Sequence, residues 1–152
     1  MRLVIKTSDD ELWISQLLPP FRFISPFDGQ DFALLLVGTD SISSAEEREF
    51  VCREIVRQGC RYAVCAGEQC ELWHDLIDDA YLAESHDDSP SPDQMMMTTW
   101  HPQETLNEVV WHFRDCAISG EFRPRRWLVL IFGGDPELNH EIASRVSECF
   151  EL

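Results

Sequence analysis

Phe32 to Gly38 read Phe-Ala-Leu-Leu-Leu-Val-Gly, an unbroken apolar run with no helical period. A run this short, closed by a turn residue, suits a strand buried on both faces, and such strands belong to parallel sheets covered by helices. The strand therefore needs helical partners, and the chain supplies one at once. Ser44-Ala45-Glu46-Glu47 has the Ser-x-x-Glu spacing of a capping box. Phe50, Val51, Ile55 and Val56 follow at helical intervals up to Gly59, a natural helix stop.

The alternation continues. Arg61 to Cys65 predicts a second short strand, ending at Ala66-Gly67. The pairs Leu72/Trp73, Leu76/Ile77 and Ala80/Tyr81 recur every four residues and predict a helix over 69–83, with Asp75, Asp78 and Asp79 on its opposite side. Glu84 to Gln94 is polar, carries Pro90 and Pro92, and predicts a mobile loop. A third strand is expected over 95–100 and a third helix over 103–117, its stripe formed by Leu106, Val109, Val110, Phe113, Cys116 and Ala117. Trp127 to Phe132 is the second strongly apolar strand, closed by Gly133-Gly134. Asp135 then stands at an N-cap with Pro136 at the first helical position, and Leu138, Ile142, Val146 and Phe150 make the last helix amphipathic.

Ahead of this frame, residues 2–6 suggest an edge strand. Ser8-Asp9-Asp10-Glu11 has capping-box spacing and predicts a helix over 9–18, with Leu12, Trp13, Leu17 and Leu18 inward and Pro19-Pro20 as its stop. Phe21 to Gln30 reads as an ordered arm that buries Phe21, Phe23, Ile24 and Phe27. The expected fold is thus α/β, one three-layer sandwich with a mainly parallel sheet of four or five strands, flavodoxin-like or Rossmann-like. Residues 1–31 form the N-terminal strand, helix and aromatic arm, and 32–152 the α/β domain with its loop at 84–94. The expected strand order is 61–65, 33–37, 95–100, 127–132. The expected core contains Leu35, Leu36, Val64, Leu76, Val109, Phe113, Leu130 and Ile142.

Charge narrows the function. The formal charge of −16 repels phosphate backbones and speaks against nucleic acid as a partner. No apolar run approaches the ~20 residues of a membrane helix, so no membrane contact is expected. The six cysteines (Cys52, Cys60, Cys65, Cys70, Cys116 and Cys149) fall largely on apolar faces without a secretion signal. They read as reduced thiols in a cytoplasmic protein.

In an open parallel sheet, ligands sit beyond the carboxyl ends of the strands. That rule selects Gly38–Ser41, Cys65–Cys70, Thr99–Pro102 and Gly133–Asp135. None carries a phosphate-binding glycine fingerprint, so no cofactor is expected. Asp40 and Asp135 lack the neighbouring Lys of a phosphoacceptor site, Lys6 being the only lysine. Cys65, Cys70, His74 and His101 form a weak metal set, since Cys70 and His74 are four apart on a helix, but Cys-x4-Cys is not a zinc knuckle. Asp40, Cys70, His74 and His101 are the catalytic candidates. Cys70 would lie in a first helical turn, where the dipole favours a thiolate, with a histidine as base. Set against this, a cysteine on an apolar face is commonly a space-filling residue. Arg123, Arg125 and Arg126 form the one basic cluster, at the amino end of the sheet, and would pair with local acids.

The weight falls on a small acidic protein that binds another protein, an accessory, regulatory or immunity-type factor. Its partner would present a basic surface to Asp75, Asp78, Asp79, Asp87 and Asp88, and a homo-oligomer is compatible with the same features. The alternative is a small hydrolase or transferase with its site at the strand ends.

Overall fold

The computed structural model describes residues 1–39, 43–84 and 95–150. Ten elements follow one another: β1 (Arg2–Lys6), β2 (Glu11–Leu17), β3 (Phe32–Gly38), α1 (Ala45–Arg57), β4 (Cys60–Gly67), α2 (Cys70–Glu84), β5 (Met97–Trp100), α3 (Leu106–Cys116), β6 (Arg126–Phe132) and α4 (Pro136–Phe150). The strands form one mixed sheet in the order β1-β2-β6-β3-β4-β5. Only the β1–β2 pair is antiparallel; the other pairings are parallel.

The apolar runs explain the centre of the sheet. Every residue of β3, and Trp127 to Phe132 of β6, is buried. The pleat divides β3 between two cores. Leu34 and Leu36 join α1 and α2 on one face, with Val51, Ile55, Trp73 and Ile77. Ala33, Leu35 and Val37 join α3 and α4 on the other, with Val109, Phe113, Ile142 and Val146. Capping boxes start two helices, Ser44 with Glu47 and Thr105 with Glu108, and Asp135 Oδ1 accepts from the Glu137 and Leu138 amides. Of the expected core, Leu76 alone is only partly buried, because Cys70, Trp73, Ile77 and Ala80 carry the inner stripe of α2.

Three expectations are corrected. The sheet has six strands rather than four or five, because Glu11–Leu17 joins it. Residues 9–18 hold no helix: Glu11–Leu17 is β2, paired in parallel with β6 along its whole length. The Ser8–Glu11 spacing caps nothing. The Thr7 hydroxyl instead accepts from the Asp9 and Asp10 amides and turns β1 into β2. Leu12 and Ile14 then face the α3/α4 core while Leu17 faces the other, a two-sided burial that a single helix face cannot supply. Strand order also differs, since β6 lies beside β3 and β5 lies at the edge beyond β4. That arrangement still pairs the two most apolar strands, as burial on both faces requires. The arm buries Phe21, Phe23 and Phe27, with Phe21 stacked on Phe132 at 4.8 Å, but Ile24 is exposed.

Candidate functional site

The carboxyl ends of the central strands are closed by backbone. Gly38 and Gly67 stand opposite each other in the β3–β4 register, and the Glu68 amide donates to the Gly38 carbonyl at 2.9 Å. A Cβ on Gly38 would lie 2.4 Å from the Glu68 carbonyl oxygen and 3.2 Å from the Trp73 indole nitrogen. On Gly67, at φ +79°, it would lie 2.3 Å from the Gly38 carbonyl oxygen. These glycines serve close approach of two strand ends. Across β3–β6 the Thr39 amide and hydroxyl both donate to the Phe132 carbonyl, and across β2–β6 the Gln16 amide group donates to that of Gly133 at 2.8 Å.

The sequence-predicted residues do not converge. Cys65 and Cys70 are buried in the α1/α2 core. His74, on α2, has its Nδ1 3.1 Å from Asp75 and its Nε2 3.4 Å from Asp78, and its ring lies 4.4 Å from that of Trp100. His101 packs on the α3 side, its ring 4.4 Å from that of His112. Among the described residues no group of three or more His, Cys, Asp or Glu is arranged to hold a metal ion, and the weak set Cys65, Cys70, His74 and His101 is split between the two faces. Asp40, Asp87 and Asp88 lie outside the described residues, as does the loop expected over 85–93. Asp75, Asp78 and Asp79 are present on α2, with Asp75 and Asp78 side chains 64% and 47% exposed.

What the structure does assemble is a polar chain at the β5 edge. His101 Nδ1 is hydrogen-bonded to Glu104, its Nε2 shares a 2.9 Å hydrogen bond with the Thr99 hydroxyl, and its amide donates to the Cys65 carbonyl. The Tyr62 hydroxyl lies 3.5 Å from His112 Nε2. Burial lowers the pKa of His112, and the neighbouring His101 lowers it further, against a smaller opposing pull from Glu104. Burial raises that of Tyr62, Cys116 adds to this, and a hydrogen bond from Thr99 opposes it. Thr99 lies in the expected Thr99–Pro102 strand end, whereas Tyr62, Glu104 and His112 were not among the expected residues. A signal existed: Glu108 and His112 stand four apart on α3, and Glu104 lies four residues before Glu108, just ahead of the helix cap.

Beside this chain, α3 carries an open groove of about 410 Å³, lined by Glu104, Asn107, Glu108, Trp111 and His112. Apolar side chains are exposed on β5 and α3: Met97 44%, Trp100 44%, its ring packed on His74 of α2, and Trp111 57%. At the amino end of the sheet a second cavity of about 300 Å³ holds Arg123, Arg125 and Arg126 with Asp31 and Glu121. Arg123 donates to the Gly120 and Phe122 carbonyls, and the cluster makes no ion pair among the described residues.

The fold is that of an α/β protein whose mixed, mainly parallel six-stranded sheet is flanked by four helices. No helix among the described residues is long and apolar enough to cross a membrane. The chain belongs to the family described as Domain of unknown function (DUF7684), which matches residues 7–149. No curated protein and no solved structure matches it.

Proposed function

We propose that this protein works by binding another protein, as an accessory, regulatory or immunity-type factor, through the β5 end of its sheet. One observation carries the reading: the backbone closes up at the carboxyl ends of β3 and β4 through the Gly38–Gly67 contact, while the sheet edge beside them exposes Met97 and Trp100. β5 has four residues and, among the described residues, pairs on one side only, with β4. Its free main-chain groups suit an added partner strand, and exposed aromatic side chains are favoured interface anchors. Asp75 and Asp78 flank His74, which backs Trp100, so the rim is acidic and a basic partner surface fits it. The order β5-β4-β3-β6 agrees with a Rossmann-like doubly wound sheet. The cysteines are free in the fold, which suits a cytoplasmic setting.

The test is capture from the native host on immobilised full-length protein and on Trp100→Ala in parallel. A protein retained by the parent chain, lost with Trp100→Ala and weakened by salt supports the reading. An identical set on both surfaces overturns it.

A second reading, a small hydrolase or transferase, has one observation in its favour: Thr99, His101 and Glu104 form a hydroxyl–imidazole–carboxylate chain. In it the Thr99 oxygen would bond to an acyl carbon, and its proton would pass to His101 and on to the departing alcohol. Incubation with an activated acyl ester and mass analysis tests this. An adduct on Thr99, absent from His101→Gln, supports it, and no adduct removes it.

A further inference from the structure

The α3 groove has a composition of its own. Trp111 presents an indole that no ring contact covers among the described residues, 57% of the residue being exposed. Two carboxylates, Glu104 and Glu108, and the Asn107 amide share the same lining. Each carboxylate is anchored by one oxygen only. Glu104 Oε2 meets His101, Glu108 Oε2 accepts from the Thr105 amide, and the second oxygen of each has no partner among the described residues. The remaining wall is His112, whose pKa is lowered by burial and by the neighbouring His101, which disfavours its cationic form.

An aromatic face beside two anchored, half-free carboxylates is a receptor for a planar cation. The ring attracts the charge through its quadrupole, and the carboxylate oxygens accept the N–H groups. We infer that this groove receives an arginine side chain of the protein partner. Arginine is preferred over lysine because its flat guanidinium can stack on the indole while donating sideways to both carboxylates. The groove adjoins β5: His112 packs against Tyr62 of β4 and against His101, which follows β5 directly. A segment lying along the β5 edge would thus bring a side chain over α3. The inference rests on the partner-binding reading and names the partner's chemistry.

Two other places carry less. The arginine cavity brings Asp31 and Glu121 with its guanidinium groups, and Arg123 is already held by the Gly120 and Phe122 carbonyls. The His101–His112 stack belongs to the wall of the groove itself.

The experiment is an NMR titration of the full chain with N-acetylarginine N-methylamide, using the isosteric, uncharged citrulline analogue as control. The chain has five tryptophans, so the indole N–H signals can be resolved. The Trp111 indole and the Asn107 and His112 amides should shift saturably with the arginine probe and not with citrulline. Trp111→Ala should weaken binding about five- to tenfold. Glu108→Gln should weaken it about threefold while keeping the helix start, because glutamine also serves in a capping box. Equal shifts with citrulline, or shifts confined to the Asp75–Asp79 face, overturn the inference. If the arginine probe leaves α3 untouched while a partner is still held through Trp100, the inference falls and partner binding stands.

Discussion

Replacing Gly38 by alanine tests whether the strand ends are filled. The new Cβ would stand 2.4 Å from the Glu68 carbonyl oxygen, closer than real Cβ atoms come, and 3.2 Å from the Trp73 indole nitrogen. The obstacle is backbone, and Trp73 is buried against Phe132 at 4.6 Å, so neither neighbour can swing aside. Over-packing of this kind costs about 1–3 kcal/mol. Pushing Glu68 away also stretches its amide bond to the Gly38 carbonyl, 2.9 Å long, worth about 1 kcal/mol. The expected loss is about 2–4 kcal/mol, a large share of the ~5–15 kcal/mol of an ordinary domain. For a chain of 152 residues the unfolding entropy is about 0.3 kcal/mol per kelvin, so Tm should fall by about 6–12 °C. Gly134→Ala is the control. Its Cβ would meet only the Leu18 methyl at 3.7 Å, ordinary contact, and stability should stay within about 0.5 kcal/mol. Urea and thermal unfolding measure both. If Gly38→Ala is as stable as Gly134→Ala, there is open space at the strand ends and the case against a ligand site there collapses.

Other outcomes follow from the same structure. Burial pushes the Cys52 thiol up to about 12 and those of Cys60 and Cys65 well above the ordinary range, so all three should resist alkylation in the native state while half-exposed Cys116 and Cys149 react first. Thiol titration after denaturation without reductant should count six, and a lower count would show a disulfide. His112 has a lowered folded pKa, so the unfolded chain binds its proton first. Its contribution to stability is present above the ordinary histidine value near ~6.5 and is lost as pH falls from there to the folded pKa; a His112 pKa at or above the ordinary value by NMR would contradict this. Asp75→Asn, Asp78→Asn and Asp79→Asn together should leave stability nearly unchanged and slow association with a captured partner about tenfold at low salt. Unchanged on-rates at every ionic strength would make the acidity a matter of solubility alone.

The parts of the fold that were legible had a single physical cause on display. β3 and β6 are continuous apolar runs because both faces are covered, and α1 and α4 carry their caps in the sequence as Ser44 with Glu47 and Asp135 with Pro136. β2 was not legible as a strand. Leu12, Trp13, Leu17 and Leu18 fit a helical stripe as well as a strand, and what decides between them is pairing with β6, more than a hundred residues away. The order of the strands is likewise set by which faces must be covered together, and no local pattern records it. At the site, His101 was legible as a strand-end residue. Its hydrogen-bond partners Thr99 and Glu104 stand two and three residues away, whereas His112 approaches it only once β5 and α3 are assembled. Cys70 looked available at a helix start and proved to be 6% exposed core, which is the usual fate of a cysteine beside an inward-facing tryptophan.

The claim that this protein is a partner-binding module acting through the β5 edge is tested most directly by hydrogen exchange on the full chain, free and with the partner retained through Trp100. Amides of Met97 to Trp100 and the first two turns of α3 should gain protection in the complex, while the amino end of the sheet around Arg123 to Arg126 stays unchanged. Protection confined to the amino end, or to the Phe21–Phe27 arm, would place the interface elsewhere and contradict the account.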